Sequence, residues 1–229
     1  MGEQITLQRR GRKAKAGVSG LIEIAEGLFA RHGLDNVSMR HVAVAAGLSN
    51  PGSVQYHFGN RENLIRAIWQ RRLPELDQKR AHLFAAVADR QEPPTLDALF
   101  DCACRPFLAD EFEGFSPFLA QVFRSPHHLE VRAEFNNLSP ASIQIAQCMR
   151  KQLPHLSKEV FMFRILTGTL IVLDSIGKSN PLTPAGWRKS GRERAYCEAL
   201  AAAVGLLQAP SASCGANTGK KRKVLLDTT

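Results

Sequence analysis

The chain has 229 residues, of which 44% are hydrophobic and 22% are charged. The length excludes a miniprotein. The composition is typical of a globular protein and excludes a fibrous protein and an intrinsically disordered chain. No stretch reaches the roughly 20 apolar residues that a membrane-spanning helix needs, and the N-terminus has no apolar signal core. We therefore expect a soluble, cytoplasmic protein without a membrane partner.

The formal net charge of +9 is distributed unevenly along the chain. Residues 1–72 contain 11 Lys or Arg and 5 Asp or Glu, residues 73–208 contain 15 of each kind, and the remaining tail contains 4 and 1. A basic N-terminal region beside a neutral body indicates a head that binds a polyanion and a body with a different role. The five cysteines are odd in number and unpatterned, which argues against a disulfide framework and fits a reducing compartment.

The spacing of apolar residues predicts an all-α protein, because they recur at intervals of three and four without any period-two alternation. The first helix is predicted over 18–32, with Gly33 as its stop. A second, short helix follows the N-cap residue Ser38 and ends at Gly47, and a third spans about 53–57. The residues expected on the buried side of the second helix are Val42, Ala45 and Ala46.

A long fourth helix is predicted to begin after Asn60. Because the apolar period resumes beyond Pro74, we expect a kink there and not a helix end. From Ala209 onward the small and basic residues indicate a disordered tail. Further helices are predicted near residues 95–109, 115–124, 127–152, 157–178 and 191–208.

The segment from Ser38 to Phe58 has the pattern of a helix-turn-helix. Gly47 permits the sharp turn, Leu48 fills the angle between the two helices, and Ala43 and Ala46 let them approach closely. We expect the second helix of this motif to be presented to the major groove of DNA.

The region from the first to the fourth predicted helix contains Leu28-Phe29 with Gly33, Ser38-Met39, Val42-Ala43, Ala46-Gly47-Leu48-Ser49, Tyr56-His57-Phe58 and Arg61-Glu62-Asn63-Leu64. Over about residues 16–70 this pattern resembles the tetracycline-repressor-like (TetR) family of bacterial regulators. Two departures concern the turn: the stretch from Ser49 to Phe58 is one residue longer than usual, and Gln55 stands where a tyrosine is common.

The resemblance implies an N-terminal three-helix DNA-binding module and a C-terminal helical domain for ligand binding and dimerisation. We expect a basic flexible arm over 1–17, the helix-turn-helix domain over 18–60, the effector and dimerisation domain over 61–208, and a disordered basic tail over 209–229. The arm contains Arg9, Arg10, Arg12, Lys13 and Lys15, which suit phosphates or a minor groove. The tail run Lys220–Lys223 is interpreted as solvated or as a weak nonspecific DNA contact.

Candidate DNA contacts follow from residue type within the motif. Ser38, Arg40 and Arg61 lie at helix starts suited to backbone contacts, and Gln55 is the foremost candidate to read an adenine edge. Phe58 and His57 are expected to pack more than to read bases, although His57 remains among the candidates. The full set of candidates is Ser38, Arg40, Ser49, Asn50, Gly52, Ser53, Gln55, Tyr56, His57 and Arg61.

The body contains a concentration of phenylalanines between residues 100 and 135, which either lines an apolar effector pocket or forms plain core. Cys102 and Cys104 with His127 and His128 do not predict a metal site, because the two thiols would lie about 200° apart around a helix. No motif for a cofactor or for catalysis is present, so we expect no enzyme. The pocket candidates are Phe100, Cys104, Phe107, Phe115, Phe118, Phe123, His128 and Arg132.

The last two predicted helices indicate a homodimer, since the segment 160–173 is apolar on nearly every side and a single protomer would struggle to cover it. The alternative is a buried central helix in a monomer. A two-fold pairing of both helices would form a four-helix bundle. The interface candidates are Phe163, Leu166, Leu170, Leu173, Ala199 and Ala203.

Together these features predict a dimeric, ligand-responsive transcriptional regulator. We expect a repressor that binds a near-palindromic operator in double-stranded DNA and is released by an unknown small-molecule effector. The alternatives are a helical small-molecule-binding protein or enzyme without DNA binding, and an architectural DNA-binding dimer without an effector.

Overall fold

The computed structural model describes residues 17–90, 92–125, 138–177, 184 and 191–210. All regular secondary structure in these residues is helical, which confirms the predicted all-α class. None of the helices in these ranges is long and apolar enough to cross a membrane. The helices are α1 (Val18–His32), α2 (Met39–Ala45), α3 (Ser53–Phe58), α4 (Arg61–Ala88), α5 (Leu96–Cys104), α6 (Phe115–Arg124), α7 (Pro140–Gln152), α8 (Lys158–Ser175) and α9 (Gly191–Gln208), with 3-10 turns at Arg105–Leu108 and Asp110–Phe112 between α5 and α6.

The three N-terminal helices form a small helix-turn-helix domain around one apolar core. On α2 the buried pair is Val42 and Ala43, whereas Ala45 is exposed, contrary to the sequence pattern. At about 100° per residue, Ala45 lies too far around the helix axis from that pair to face the core. The other core residues of this domain are Leu21, Ala25, Leu28, Phe29, Leu34, Val37, Val54 and Phe58.

Helix α4 joins this domain to the C-terminal helices, and it continues through Pro74 as predicted. Its buried side carries Leu64, Ile65, Ile68 and Trp69 in the first half, and Leu73 and Leu76 around the proline. It packs against α1 and α3 near its start and against α5 and α7 further along. The helix therefore spans both domains.

Two buried carboxylates connect α4 to its neighbours on either side of Pro74. Before the proline, Arg72 on α4 donates two hydrogen bonds to Glu26 on α1, at 2.7 and 3.0 Å. After it, Asp77 accepts hydrogen bonds from the backbone N–H groups of Ala141 (2.8 Å) and Ser142 (3.0 Å) at the start of α7. Asp77 thus acts as an N-cap supplied by another helix.

Helices α8 and α9 pack closely along their length within one protomer. Gly168 makes this possible, because a Cβ atom placed there would lie 3.1 Å from both Ala203 Cβ and Phe100 Cζ. Arg164 on α8 is buried and donates hydrogen bonds to the carbonyls of Leu207, Ala209 and Pro210 at the end of α9. An arginine therefore caps the C-terminus of α9 and fixes the pairing of the two helices.

Candidate DNA-binding site

The turn between α2 and α3 has the geometry that the motif predicts. Gly47 has a φ angle of +67°, a left-handed conformation that L side chains rarely adopt. The N–H of Leu48 donates to the carbonyl of Ala43 at 3.0 Å, and its half-buried side chain packs against the core. Gly47 is therefore required for its backbone angle, since open space surrounds the position of its missing Cβ.

The register of the following segment is set by Asn50. Its Oδ1 accepts a hydrogen bond from the N–H of Gly52 at 2.9 Å, and the carbonyl of Asn50 accepts one from Ser53 at 3.1 Å. Such an Asx turn starts α3 at Ser53. The amide oxygen of Asn50 is thereby committed to the backbone, which leaves its Nδ2 as the group that can donate toward DNA.

Helix α3 is held by two inward side chains and presents polar ones outward. Val54 and Phe58 are buried, whereas Gln55, Tyr56 and His57 are exposed. The expectation that His57 packs is wrong: α3 has only six residues, and its buried side is filled by the two apolar anchors. Tyr56 is 87% exposed, and its ring meets that of His57 edge to face at 5.5 Å.

The start of α2 is a reciprocal capping box. Ser38 Oγ accepts from the N–H of His41 at 3.2 Å, and the N–H of Ser38 donates to His41 Nδ1 at 3.3 Å. Because Nδ1 acts as the acceptor, the proton of a neutral His41 lies on Nε2, which can donate to another group. His41 was missed from the sequence, although its position three residues after Ser38 is the one at which a capping box places its second partner.

The two candidate arginines differ in whether they are bonded within the protein. Arg40 is exposed, whereas Arg61 donates to the carbonyl of Leu34 at 3.2 Å and lies 3.8 Å from a carboxylate oxygen of Asp35. Arg61 thus anchors the start of α4 to the loop after α1. The remaining candidates, Ser49 and Gly52, are exposed on the turn, and Ser53 is half-buried.

A comparison with protein families matches residues 21–68 to the model described as bacterial regulatory proteins, tetR family. Residues 21–68 are thus similar to the DNA-binding region of the tetR family. The matched residues run from α1 into α4 and contain the whole turn described above. A chain with this region is a DNA-binding transcriptional regulator.

No curated protein matches the chain significantly. Among solved structures, the TetR-family transcriptional regulator PfmR from Thermus thermophilus is 18% identical with a TM-score of 0.47, covering 83% of this chain and 95% of its own. AmtR from Mycobacterium smegmatis is also 18% identical, with a TM-score of 0.45 and coverage of 87% and 96%.

The candidate pocket residues lie mostly in the buried core. Phe115 and Phe118 on α6 pack against each other at 5.8 Å between ring centroids, and against Trp69 on α4 and Phe29 on α1. These aromatic rings join the DNA-binding domain to the body. Phe100, Cys104 and Phe107 are fully buried as well, Phe123 is partly buried, and His128 and Arg132 lie outside the described residues.

An open cleft of about 670 Å³ lies between α4 and the two 3-10 turns. It adjoins the phenylalanine cluster through Phe112, whose ring lies 6.3 Å from that of Phe115. Its cations are already paired: Lys79 Nζ lies 2.8 Å from Glu111, and Arg105 contacts Asp101 at 2.7 Å. Its lining is formed by Glu75, Gln78, Lys79, His82, Leu83, Arg105, Pro106, Ala109, Glu111 and Phe112.

The predicted interface residues divide into two groups. Leu173, Ala199 and Ala203 are buried inside the protomer, because α8 and α9 already pack against each other there. They therefore have no surface to offer a second chain, and their assignment is corrected. Phe163 is 67% exposed, and Leu166 and Leu170 are half-buried.

The remaining expectations fall partly or wholly outside the described ranges. These are the basic arm up to residue 16, the part of a predicted helix over 127–137, and the tail from residue 211. Cys102 and Cys104 are buried thiols whose pKa values burial raises, to about 11 and about 12. Among the described residues no group of three or more His, Cys, Asp or Glu side chains could hold a metal ion.

Proposed function

We propose that the protein is a dimeric repressor that binds a near-palindromic operator and is released from it by a small-molecule effector. The observation that carries this proposal is the outward face of α3, where Gln55 and Tyr56 are exposed beside a left-handed turn at Gly47. A helix held in this way fits a major groove, which is about 12 Å wide. A regulator of this kind acts on the chromosome, so we expect it in the cytoplasm of a bacterium.

The proposed DNA contacts have distinct roles. Gln55 reads a base edge, with a bidentate contact to adenine as its best chemistry, and Tyr56 and His57 contact bases or phosphates beside it. Arg40 and the hydroxyl proton of Ser38 contact phosphates. Asn50 and Arg61 hold α3 and α4 in place, and their N–H groups that are not used within the protein donate to DNA. Ser49, Gly52 and Ser53 complete the surface that approaches the backbone.

The proposed dimer forms through the outer faces of α8 and α9. Phe163, Leu166 and Leu170 leave apolar surface uncovered on α8. On α9, Cys197, Ala201 and Gly205 are exposed at intervals of four residues and form a stripe of small side chains. A two-fold pairing would bury both faces as a four-helix bundle and set the two α3 helices at half-sites about 34 Å apart.

The corresponding division of the chain is a basic arm over 1–17, a DNA-binding domain over 18–60, an effector and dimerisation domain over 61–208 and a tail over 209–229. The effector acts from the second domain through α4, which spans both. The role is regulatory and not catalytic.

DNA binding is tested by selecting an operator from a random duplex library and measuring its affinity across a salt series. We expect affinity to fall steeply with salt, because Arg40 and the basic residues of the N-terminal arm would displace counterions from the phosphates. Gln55→Ala should weaken operator binding at least tenfold while it leaves the circular dichroism spectrum unchanged. Gln78→Ala, an exposed glutamine on α4, is the matched control. Unchanged operator affinity in Gln55→Ala would remove Gln55 from the interface.

The dimer is tested separately by sedimentation. Leu170→Glu places a charge on the proposed face and should yield monomers with weakened operator binding. Ile143→Glu, on an exposed apolar residue of α7, serves as the control and should remain dimeric. A Leu170→Glu protein that still sediments as a dimer would contradict this interface.

A further inference from the structure

The open cleft between α4 and the two 3-10 turns has the size and the floor of a small-molecule site. Its volume of about 670 Å³ lies within the roughly 300–1,000 Å³ that such sites occupy. The floor is apolar, because Pro106 and Phe112 of the 3-10 turns are buried and Leu83 of α4 is partly buried. A molecule with an apolar body would remove this floor from water, which favours its binding.

The charged residues around this floor cancel one another. Lys79 Nζ lies 2.8 Å from a carboxylate oxygen of Glu111, and Arg105 Nε lies 2.7 Å from one of Asp101. Glu75 also has a basic partner on α4. The lining thus contains two acids and two bases, and their formal charges sum to zero. An ion that entered the cleft would lose its hydration without gaining an unpaired counter-charge.

Two further polar side chains of the lining, Gln78 and His82, are exposed on α4. Within the part of the chain that the structure describes, neither makes a hydrogen bond or an ion pair. Their spacing of four residues places both on the same side of the helix. An amide and a neutral imidazole each offer a donor and an acceptor, which suit the hydroxyl or carbonyl group of a ligand.

We propose that this cleft binds the effector, and that the effector is an uncharged, largely apolar molecule with one hydroxyl or carbonyl group. This inference rests on the ligand-responsive function proposed above, and it gives the effector a site and a chemical class. The apolar body covers Pro106, Phe112 and Leu83, and the polar group makes a hydrogen bond to Gln78 or His82.

A row of packed aromatic rings leads from the floor of the cleft to the DNA-binding domain. The ring of Phe112 lies 6.3 Å from that of Phe115, which lies 5.8 Å from that of Phe118. Phe118 in turn lies 6.1 Å from Phe29 on α1. A ligand that displaces Phe112 thereby changes the packing beneath α1, which is how binding in the cleft alters the position of the DNA-binding domain.

The test uses two alcohols, 2-naphthylmethanol and decanol, and the corresponding carboxylates, 2-naphthoate and decanoate. Each is titrated into the full-length protein by calorimetry, and operator affinity is then measured in its presence. We expect at least one alcohol to bind and to weaken operator binding, and its carboxylate to bind about tenfold more weakly or not at all, because a charge gains no partner in the cleft. This comparison uses only the wild-type protein.

Two sets of variants locate the site. Ala109→Trp fills the cleft with an indole and should abolish alcohol binding, whereas Ala85→Trp, at an exposed alanine of α4 outside the lining, should leave it unchanged. Gln78→Ala combined with His82→Ala removes the polar partners and should weaken alcohol binding by about 5–10-fold, the equivalent of one hydrogen bond. His155→Ala, at an exposed histidine between α7 and α8, is the matched control.

The outcomes separate this inference from the function on which it rests. If the protein binds its operator but neither alcohol binds, or if Ala109→Trp binds the alcohol as the wild type does, the cleft is refuted as the effector site and the regulator remains. A carboxylate that binds as tightly as its alcohol would overturn the chemical class. Phe115→Leu should bind the alcohol while operator affinity no longer responds to it, and a full response would refute transmission through the aromatic rings.

Discussion

Replacing Arg72 with methionine should strongly destabilise the protein, because it leaves the carboxylate of Glu26 buried without a cation. The Glu26 side chain is 4% exposed and that of Arg72 is 14% exposed, and two hydrogen bonds join them. Burial opposes the charge on Arg72, but the hydrogen bond and charge of Glu26 outweigh it and raise its pKa. Removing one member of such a buried pair lowers the free energy of unfolding by about 3–5 kcal/mol.

The measurement is urea denaturation followed by circular dichroism, at one fixed protein concentration because dimerisation contributes to stability. The matched control is Lys79→Met, which breaks the exposed pair with Glu111; these side chains are 46% and 48% exposed. An exposed pair contributes only about 0–1 kcal/mol. In thermal unfolding, a loss of about 3 kcal/mol would lower the melting temperature by roughly 6–12 °C for a chain of this size.

A double variant separates the ion pair from the packing of the arginine stem. Glu26→Leu combined with Arg72→Met removes both charges, and such replacements are often neutral or stabilising, so most of the lost stability should return. The reasoning is refuted if Arg72→Met costs no more than Lys79→Met, or if the double variant is as unstable as Arg72→Met alone.

Three further substitutions test single contacts by the same denaturation assay. Asp77→Ala leaves two N–H groups of α7 without their acceptor and should lower the free energy of unfolding by about 1–3 kcal/mol. The exposed neighbour Gln78→Ala should lower it by less than about 0.5 kcal/mol. Equal losses of stability in the two variants would show that Asp77 does not cap α7. Ser38→Ala removes the N-cap of α2 and should lose about 1 kcal/mol, so a stability like that of the wild type would contradict the capping box. Gly168→Val forces a side chain against Ala203 and Phe100 and should lower the free energy of unfolding by about 1–3 kcal/mol. Gly27→Ala, whose new methyl group meets only the end of Arg31, should raise it by about 0.5–1 kcal/mol. A Gly168→Val protein as stable as the wild type would disprove the close packing of α8 and α9.

The N-terminal domain was predictable because its signals are local. Ser38, Gly47 and Asn60 each fix a helix end through their own backbone or side chain, and the structure has α2 ending just before Gly47 and α4 beginning after Asn60. The apolar spacing of α1 gave its bounds directly. The turn register could not be read from composition, since it depends on one hydrogen bond from Gly52 to the side chain of Asn50.

The body was less predictable because its packing depends on contacts between distant segments. The pattern of α8 and α9 indicated that their apolar faces must be covered, but it could not show that Leu173 and Ala203 are covered within the same chain. Gly168 decides this, since the missing side chain lets α9 approach. In the same way, the phenylalanine concentration indicated a large apolar volume, and only the ring contacts distinguish packed core from pocket.

The spacing of apolar residues predicts each helix but not how the helices are positioned against one another. Much of that positioning comes from charged residues that interrupt the apolar faces. Glu26, Asp77, Arg80 and Arg164 are all buried. Three of them are explained by their partners: an arginine on α4, the N-terminus of α7 and the C-terminus of α9. Each of these contacts fixes one helix relative to another, which apolar packing alone does less selectively. Arg80 lies in the same apolar face of α4 and is held by the carbonyl of Ala103 at 2.8 Å and by the ring of Phe107 at 5.3 Å.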